Sequence, residues 1–163
     1  MTHAVLSVGS NVGDRLAYLR SAVDRMCPYV GAVSPVYETP PWGPVSQPDY
    51  LNAVILVSDE SADPLMWLDR AHAAEDAAGR VRDQRWGPRT LDVDVIAVDD
   101  IELNDPDLTL PHPRAAERAF VLVPWLAVDP EARLCDGSVA DLVAQLPPGE
   151  ISAVRIRPDL VLR

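Results

Sequence analysis

The 163-residue chain contains no lysine, so all 14 of its basic residues are arginine. Abundant Ala, Val, Asp and Arg fits GC-rich coding, which accounts for the missing lysine without reference to function. The absence still has chemical force. It excludes a Schiff-base lysine and the G-x-x-x-x-G-K-[ST] phosphate loop, leaving guanidinium groups to hold any phosphorylated ligand. A basic surplus is also lacking, since the net charge is −11; a nucleic-acid partner is not expected, because phosphate backbones attract basic surfaces. Only two cysteines occur, Cys27 and Cys135. They lie far apart without metal-ligand spacing, so reduced, packed thiols of a cytoplasmic protein are expected. No run approaches the ~20 apolar residues of a membrane span. The apolar stretch near the N-terminus is too short for a signal peptide and begins like a strand. Repeats, linkers and low-complexity tracts are absent, and the length suits one domain over residues 1–163 with a core that needs no disulfide.

What is present reads as alternating strands and helices. Residues 4–8 form a strand pattern followed by the turn-like G-S-N-V-G-D. A helix begins near Asp14, with Leu16, Leu19, Val23 and Met26 at helical spacing, and Pro28 ends it. Residues 30–38 alternate as a strand interrupted by Pro35, which suggests an edge or a bulge. The Pro-rich segment 39–49 is a loop. Residues 50–58 form the next strand, with Tyr50, Asn52, Val54 and Leu56 on one face. Asp63 and Pro64 open a second helix that reaches Ala78, with Gly79 as its stop. Residues 90–98 form another strand, which Asp99-Asp100 turn back into residues 101–103. Beyond an Ala-rich turn lies an apolar run over 120–128. Ser138 and Asp141 resemble a capping box for a last helix through Leu146, and residues 151–156 suggest a final strand. The order strand–helix–strand, strand–helix–strand predicts an α+β fold. Its core is ferredoxin-like βαββαβ, a mainly antiparallel sheet flanked by helices, with a C-terminal helix/strand extension.

The densest chemistry lies in R-W-G-P-R-T-L-D-V-D-V, residues 85–95. Positions i and i+2 of a strand share a face, so Asp92 and Asp94 project together while Leu91, Val93 and Val95 pack behind them. Two neighbouring carboxylates repel, and a hard divalent cation such as Mg²⁺ relieves the repulsion. Arg80, Arg82, Arg85 and Arg89 supply guanidinium forks suited to phosphate. An exposed edge pair and a solvated helix end would explain the carboxylates and arginines separately. Their combination around a Gly-Pro turn points to phosphoryl transfer.

Three further groups carry candidate chemistry. Tyr50 and Asn52 share a strand face, and an aromatic ring with an amide suits a flat, nitrogen-rich heterocycle. The blander alternative is a core tyrosine and a turn asparagine. Glu75 falls on or near the apolar face of the second helix, an unusual place for a carboxylate, where an arginine or a ligand could satisfy it. In P-H-P-R-A-A-E-R-A-F, His112 and Arg118 can reach a phosphate, and Phe120 either packs in the core or faces Tyr50 across a pocket.

With these residues in place, the chain resembles the 6-hydroxymethyl-7,8-dihydropterin pyrophosphokinases of folate biosynthesis. The resemblance covers nearly the whole length. It rests on V-G-S-N, Y-E-T-P-P-W-G-P-V-S-Q-P-D-Y-L-N-A-V, G-R-V-R, R-W-G-P-R-T-L-D-V-D-V-I and L-P-H-P-R-x-x-E-R-A-F-V-L-V-P. It implies transfer of pyrophosphate from ATP to the pterin hydroxymethyl group, releasing AMP, with two Mg²⁺ ions held by Asp92 and Asp94. It implies catalytic roles for Arg82, Arg89, Asp92 and Asp94. Thr39, Pro41, Trp42, Tyr50, Asn52 and Phe120 correspond to the pterin site. Glu75, Arg80, Arg85, Trp86, His112 and Arg118 correspond to the nucleotide site. Three features depart from the family pattern: a shortened loop between Arg82 and Trp86, Trp42 in place of a common aliphatic residue, and Pro113 in place of tyrosine.

The rival class is a non-catalytic module, since the split β-α-β fold also hosts regulatory domains and RNA-binding sheets. Such a module has no need of a D-x-D with arginines. An ordinary kinase yielding ADP is the second alternative, which the residues alone do not separate from a pyrophosphokinase. The expected partners are small molecules, ATP and the hydroxymethyl-dihydropterin, with no nucleic acid and no membrane. A monomer is the working expectation.

Overall fold

The computed structural model describes residues 1–41, 43–79 and 89–163. β1 (Thr2–Ser10) leads into α1 (Arg15–Met26), which starts where Asp14 accepts a hydrogen bond from the Ala17 N–H at 3.1 Å. β2 (Val30–Val33), β3 (Tyr37–Thr39) and β4 (Tyr50–Asp59) follow. α2 (Pro64–Ala77) is capped by Asp63 through the Met66 N–H at 2.9 Å, and Gly79 takes φ +69° just beyond its end. β5 (Asp92–Val98) completes the core. The main sheet runs β10 (Arg155–Ile156)-β3-β4-β1-β5, with β2 also on β4, and each of these pairings is antiparallel. This is the expected ferredoxin-like arrangement.

Two pairs of short strands lie outside that sheet, β6 (Leu103–Asn104) with β7 (Thr109–Leu110) and β8 (Arg133–Leu134) with β9 (Gly137–Ser138). The apolar run is α3 (Ala119–Val128), buried at Val121, Leu122 and Trp125. α4 (Val139–Gln145), capped as expected by Ser138 through the Asp141 N–H at 3.0 Å, precedes α5 (Pro148–Ser152) and β10 (Arg155–Ile156).

Four expectations need correction. β1 continues through Gly9 and Ser10, because Gly9 pairs with Asn52 on one side and Asp92 on the other. Pairing on both edges overrides the turn preference of the G-S-N sequence. The strand expected over 30–38 breaks at Ser34-Pro35, where Ser34 Oγ accepts from the Val54 N–H at 2.9 Å and stands in for a ladder bond. The segment after Asp99-Asp100 pairs through Leu103–Asn104 with β7, not back onto β5. The strand expected over 151–156 is only Arg155–Ile156, since Pro148 opens a helix through Ser152.

Alternation in the sheet produces two unequal apolar layers. Leu6, Val8, Ala53, Ile55, Val93 and Val95 face α1 and α2, packing with Leu19, Val23 and Trp67. Val54 and Ile96 face the other way, against Val121, Leu122 and Trp125 of α3. An extra residue in β5, Ile96 between the Leu6 and Val5 partners, bends that strand. Beyond Phe120 and Ile96, the face carrying Tyr50, Asn52, Asp92 and Asp94 opens into a cavity.

Candidate active site

The antiparallel register sets the floor of this cavity. Tyr37, Asn52, Gly9 and Asp92 form one row across four strands, and Val54, Ser7 and Asp94 form the next. Asp92 and Asp94 thus share a face of β5, as their spacing predicts, and both line the cavity. Arg89 Nη1 lies 3.3 Å from Asp92 Oδ1, and Arg118 Nη1 lies 3.9 Å from Asp94 Oδ2. Both carboxylates keep part of their surface in solvent, with side-chain exposures of 24% and 30%. Acceptor oxygens open to solvent and paired at i, i+2 fit Mg²⁺, which takes one or two carboxylates and completes its shell with water and phosphate oxygens.

Two adjoining cavities meet at these carboxylates. The first, of about 180 Å³, is walled by Thr39, Pro40, Tyr50, Asn52 and Phe120. Asn52 is buried, and its Nδ2 donates to Thr39 Oγ1 at 2.6 Å. The Arg118 guanidinium stands 5.5 Å from the Phe120 ring centroid, which links the aromatic wall to the charged region. The second, of about 390 Å³, runs along β5 past Leu68, His72, Glu75 and Asp107. Arg89, Asp92, Asp94 and His112 belong to both.

The expected residues distribute accordingly. Thr39, Tyr50, Asn52 and Phe120 gather in the first cavity, Glu75 in the second, and Arg89, Asp92, Asp94 and His112 at the junction, while Arg118 lines the first. Pro40 lines the first cavity, and Pro41 follows it in the chain. Trp42, Arg80, Arg82, Arg85 and Trp86 lie outside the described residues. Glu75 is buried, and its Oε2 accepts from the Val93 N–H at 2.9 Å, satisfying a donor on the outer strand of the sheet.

At the junction two guanidiniums stand against two carboxylates beside a histidine. His112 Nδ1 accepts from the Arg114 N–H at 3.2 Å, which leaves Nε2 as the protonated nitrogen of the neutral ring. Burial first, and then the nearby Arg118 charge, push His112 below the ordinary histidine range, so the neutral form prevails at neutral pH. Burial also lowers Arg118, with Asp94 and Asp92 opposing, and a guanidinium remains charged throughout.

Sequence reasoning missed three contributors on and beside β1. Ser7 and Gly9 line the first cavity. Asn11, also buried, joins three segments: its Nδ2 donates to Gln47 Oε1 at 2.8 Å and to the Pro48 carbonyl at 2.9 Å, while its Oδ1 accepts from the Arg89 N–H at 2.8 Å. The available signal was the V-G-S-N sequence ending an apolar strand, which read as a turn.

A model of the family described as 7,8-dihydro-6-hydroxymethylpterin-pyrophosphokinase matches residues 5–130. The chain is 50% identical over 176 residues to the 2-amino-4-hydroxy-6-hydroxymethyldihydropteridine pyrophosphokinase of Mycobacterium tuberculosis, covering 99% of this chain and 94% of that protein. To the like-named protein of Bacillus subtilis it is 39% identical over 125 residues, 74% of each chain. The crystal structure of wild-type Plasmodium falciparum HPPK-DHPS superposes with a TM-score of 0.64 at 14% identity over 88% of this chain, a likeness of fold alone. The present chain spans 44% of that longer one. By the family match and by identity over nearly its full length, the chain belongs to the 7,8-dihydro-6-hydroxymethylpterin-pyrophosphokinase family.

Proposed function

We propose that the junction of the two cavities is where this chain performs its family's reaction. That reaction is transfer of the pyrophosphoryl group of ATP to the hydroxymethyl group of 6-hydroxymethyl-7,8-dihydropterin. The observation that carries the assignment is the carboxylate pair Asp92/Asp94, shared by an aromatic- and amide-walled cavity and a larger cavity beside it. The first cavity takes the pterin, stacked between Tyr50 and Phe120 with Asn52 at its edge, and Thr39, Pro41 and Trp42 belong to the same subsite. The second takes the nucleotide, with Glu75, Arg80, Arg85, Trp86 and His112 as its contacts, while Arg118, beside Asp94 on the wall of the first cavity, meets the phosphates.

Phosphoryl transfer needs positioning and charge neutralisation more than covalent help. The bond formed joins the pterin hydroxymethyl oxygen to the β-phosphorus; the bond broken joins that phosphorus to the oxygen bridging it to the α-phosphorus, and AMP leaves. Asp92 and Asp94 would hold two Mg²⁺ ions, which supply charge neutralisation for the phosphates and acidify the hydroxyl. Asp92, at the pterin end of the pair, is placed to accept the hydroxyl proton. Arg89, beside Asp92, and Arg82 neutralise charge developing on the phosphates, and His112 offers its Nε2–H as a neutral donor. Residues 1–163 act in this scheme as one pterin pyrophosphokinase domain, monomeric and cytoplasmic. No described helix is long and apolar enough to cross a membrane.

Phosphorus NMR of the protein with ATP, Mg²⁺ and the hydroxymethyl-dihydropterin tests the scheme. AMP and a pterin diphosphate are the expected products. ADP would place the attack at the γ-phosphorus and overturn it.

A further inference from the structure

Gly9 occupies the interior of β1, paired on both sides, in extended backbone that any residue adopts. Glycine in such a position gains nothing from its conformational freedom and weakens the strand by roughly 0.5–1 kcal/mol relative to alanine. Its backbone does not require it. The surrounding space does. A Cβ placed on Gly9 would stand 2.6 Å from Asn52 Oδ1 and 3.3 Å from Tyr50 Cδ1. Contacts between such atoms are favourable near 3.5–4.0 Å, so the first separation is a direct overlap.

The carboxamide has little freedom to retreat. Asn52 is 4% exposed, and its Nδ2 is held by Thr39 Oγ1. Rotation away from position 9 would break that bond, or swing the amide into the volume beneath Tyr50. With no side chain at Gly9, Oδ1 keeps its place, and it accepts no hydrogen bond from any described residue. An acceptor held on the floor of an aromatic-walled cavity selects a flat ring that presents an N–H along its edge.

We propose that Gly9 is a positioning residue that sets heterocycle specificity: its bare Cα reserves the volume that fixes the Asn52 carboxamide as an acceptor inside the pocket. The inference rests on the assignment of this cavity to the pterin. Gly9 acts through Asn52, and this dependence separates it from a glycine needed only for folding.

The test is a cycle of Gly9→Ala, Asn52→Ala and the double variant. Each is titrated with the hydroxymethyl-dihydropterin in the presence of Mg²⁺ and a non-hydrolysable ATP analogue, and separately with the analogue alone. Gly9→Ala is expected to weaken pterin binding at least tenfold, with analogue binding unchanged within about twofold. The double variant is expected to bind pterin no more weakly than Asn52→Ala. Unchanged pterin binding in Gly9→Ala, a loss that adds in full to that of Asn52→Ala, or an equal loss of analogue binding would each overturn the proposal. If Gly9→Ala does not fold, the double variant decides: recovery of the fold supports a clash with Asn52, and failure to recover overturns it. Wild-type protein that binds the analogue but no pterin would remove the pocket assignment itself, and the proposal with it.

Discussion

Asp92 and Asp94 sit close enough to repel, yet each has a guanidinium within 4 Å. Ionised carboxylates in that setting present oxygens to the junction, and neither is part of the apolar layers. Asp94→Ala is therefore expected to fold normally and to lower turnover by at least the 10²–10³-fold typical of losing one preorganised electrostatic group. Pterin affinity should survive, because Asn52 on the cavity floor is held by Thr39 Oγ1, a bond that does not pass through that carboxylate. Near-wild-type turnover in the variant would remove Asp94 from the reaction. Phe120 gives a complementary case. It begins α3 and offers its ring to the cavity, so Phe120→Ala is expected to weaken pterin binding by roughly 1–3 kcal/mol, the scale of an aromatic–base stack. The Michaelis constant for ATP should stay nearly constant, and an unchanged pterin constant would return Phe120 to a purely packing role.

Among the elements, β5 was the most legible in sequence and β1 the least. Period-two alternation in L-D-V-D-V forces the two carboxylates to one face, whatever the sheet around them. The same alternation placed Tyr50 with Asn52 on β4. The partners of Gly9 and Asn11 could not be read this way, since their local chemistry favours a turn; pairing with β4 and β5 holds Gly9, and bonds to Gln47, Pro48 and Arg89 hold Asn11. α3 escaped for a different reason: an apolar run with no polar face shows no period, and its helical state follows from burial between the sheet and α4. The nucleotide-side arginines were legible as residue types, but Arg80, Arg82 and Arg85 fall outside the described residues. Asn11 carries the prediction at this scale. It secures the start of the β1–α1 connection to both Pro48 and Arg89, so Asn11→Ala removes three side-chain hydrogen bonds that join these segments. A stability loss of about 1–3 kcal/mol is expected. The Michaelis constants of pterin and ATP should both rise, because one side chain anchors groups serving each cavity. A rise in only one of them would show that the two segments are held independently.

In the whole molecule, the layers are joined at the edge of the sheet remote from β5, where the end of the chain returns as β10 onto β3. The residues that fasten it are charged. Glu38 Oε2 accepts from Arg15 Nη1 at 2.7 Å, Glu38 Oε1 accepts from Arg157 Nη1 at 3.2 Å, and Arg155 Nη2 lies 3.6 Å away. Arg155 also reaches Asp49, and Arg157 reaches Asp159, so α1, β3, the Pro-rich loop and the C-terminal segment share one network. Glu38 directly precedes Thr39, the partner of Asn52, which ties the network to the pterin wall. The hydrogen bond from Arg15, with the charges of Arg15, Arg157 and Arg155, holds the Glu38 carboxyl below its ordinary range against the opposing effect of burial. The unfolded chain therefore takes up this proton more readily than the folded one, and acid favours unfolding. The contribution is complete above the unfolded glutamate value near ~4.3 and is lost as pH falls through the lower folded value. Glu38 is largely covered, with a side-chain exposure of 16%, so Glu38→Gln is expected to cost more than a surface pair, about 1–2 kcal/mol at neutral pH. At ~2–4 °C per kcal/mol for a chain of this size, the melting temperature should drop by several degrees. Thermal melts of both proteins from pH 7 down to about pH 3 measure the linkage directly. The gap between wild type and variant should be widest at neutral pH and close as the solution is acidified. A gap that stays constant with pH would mean that Glu38 stabilises the edge by shape and neutral hydrogen bonding, with its charge contributing nothing.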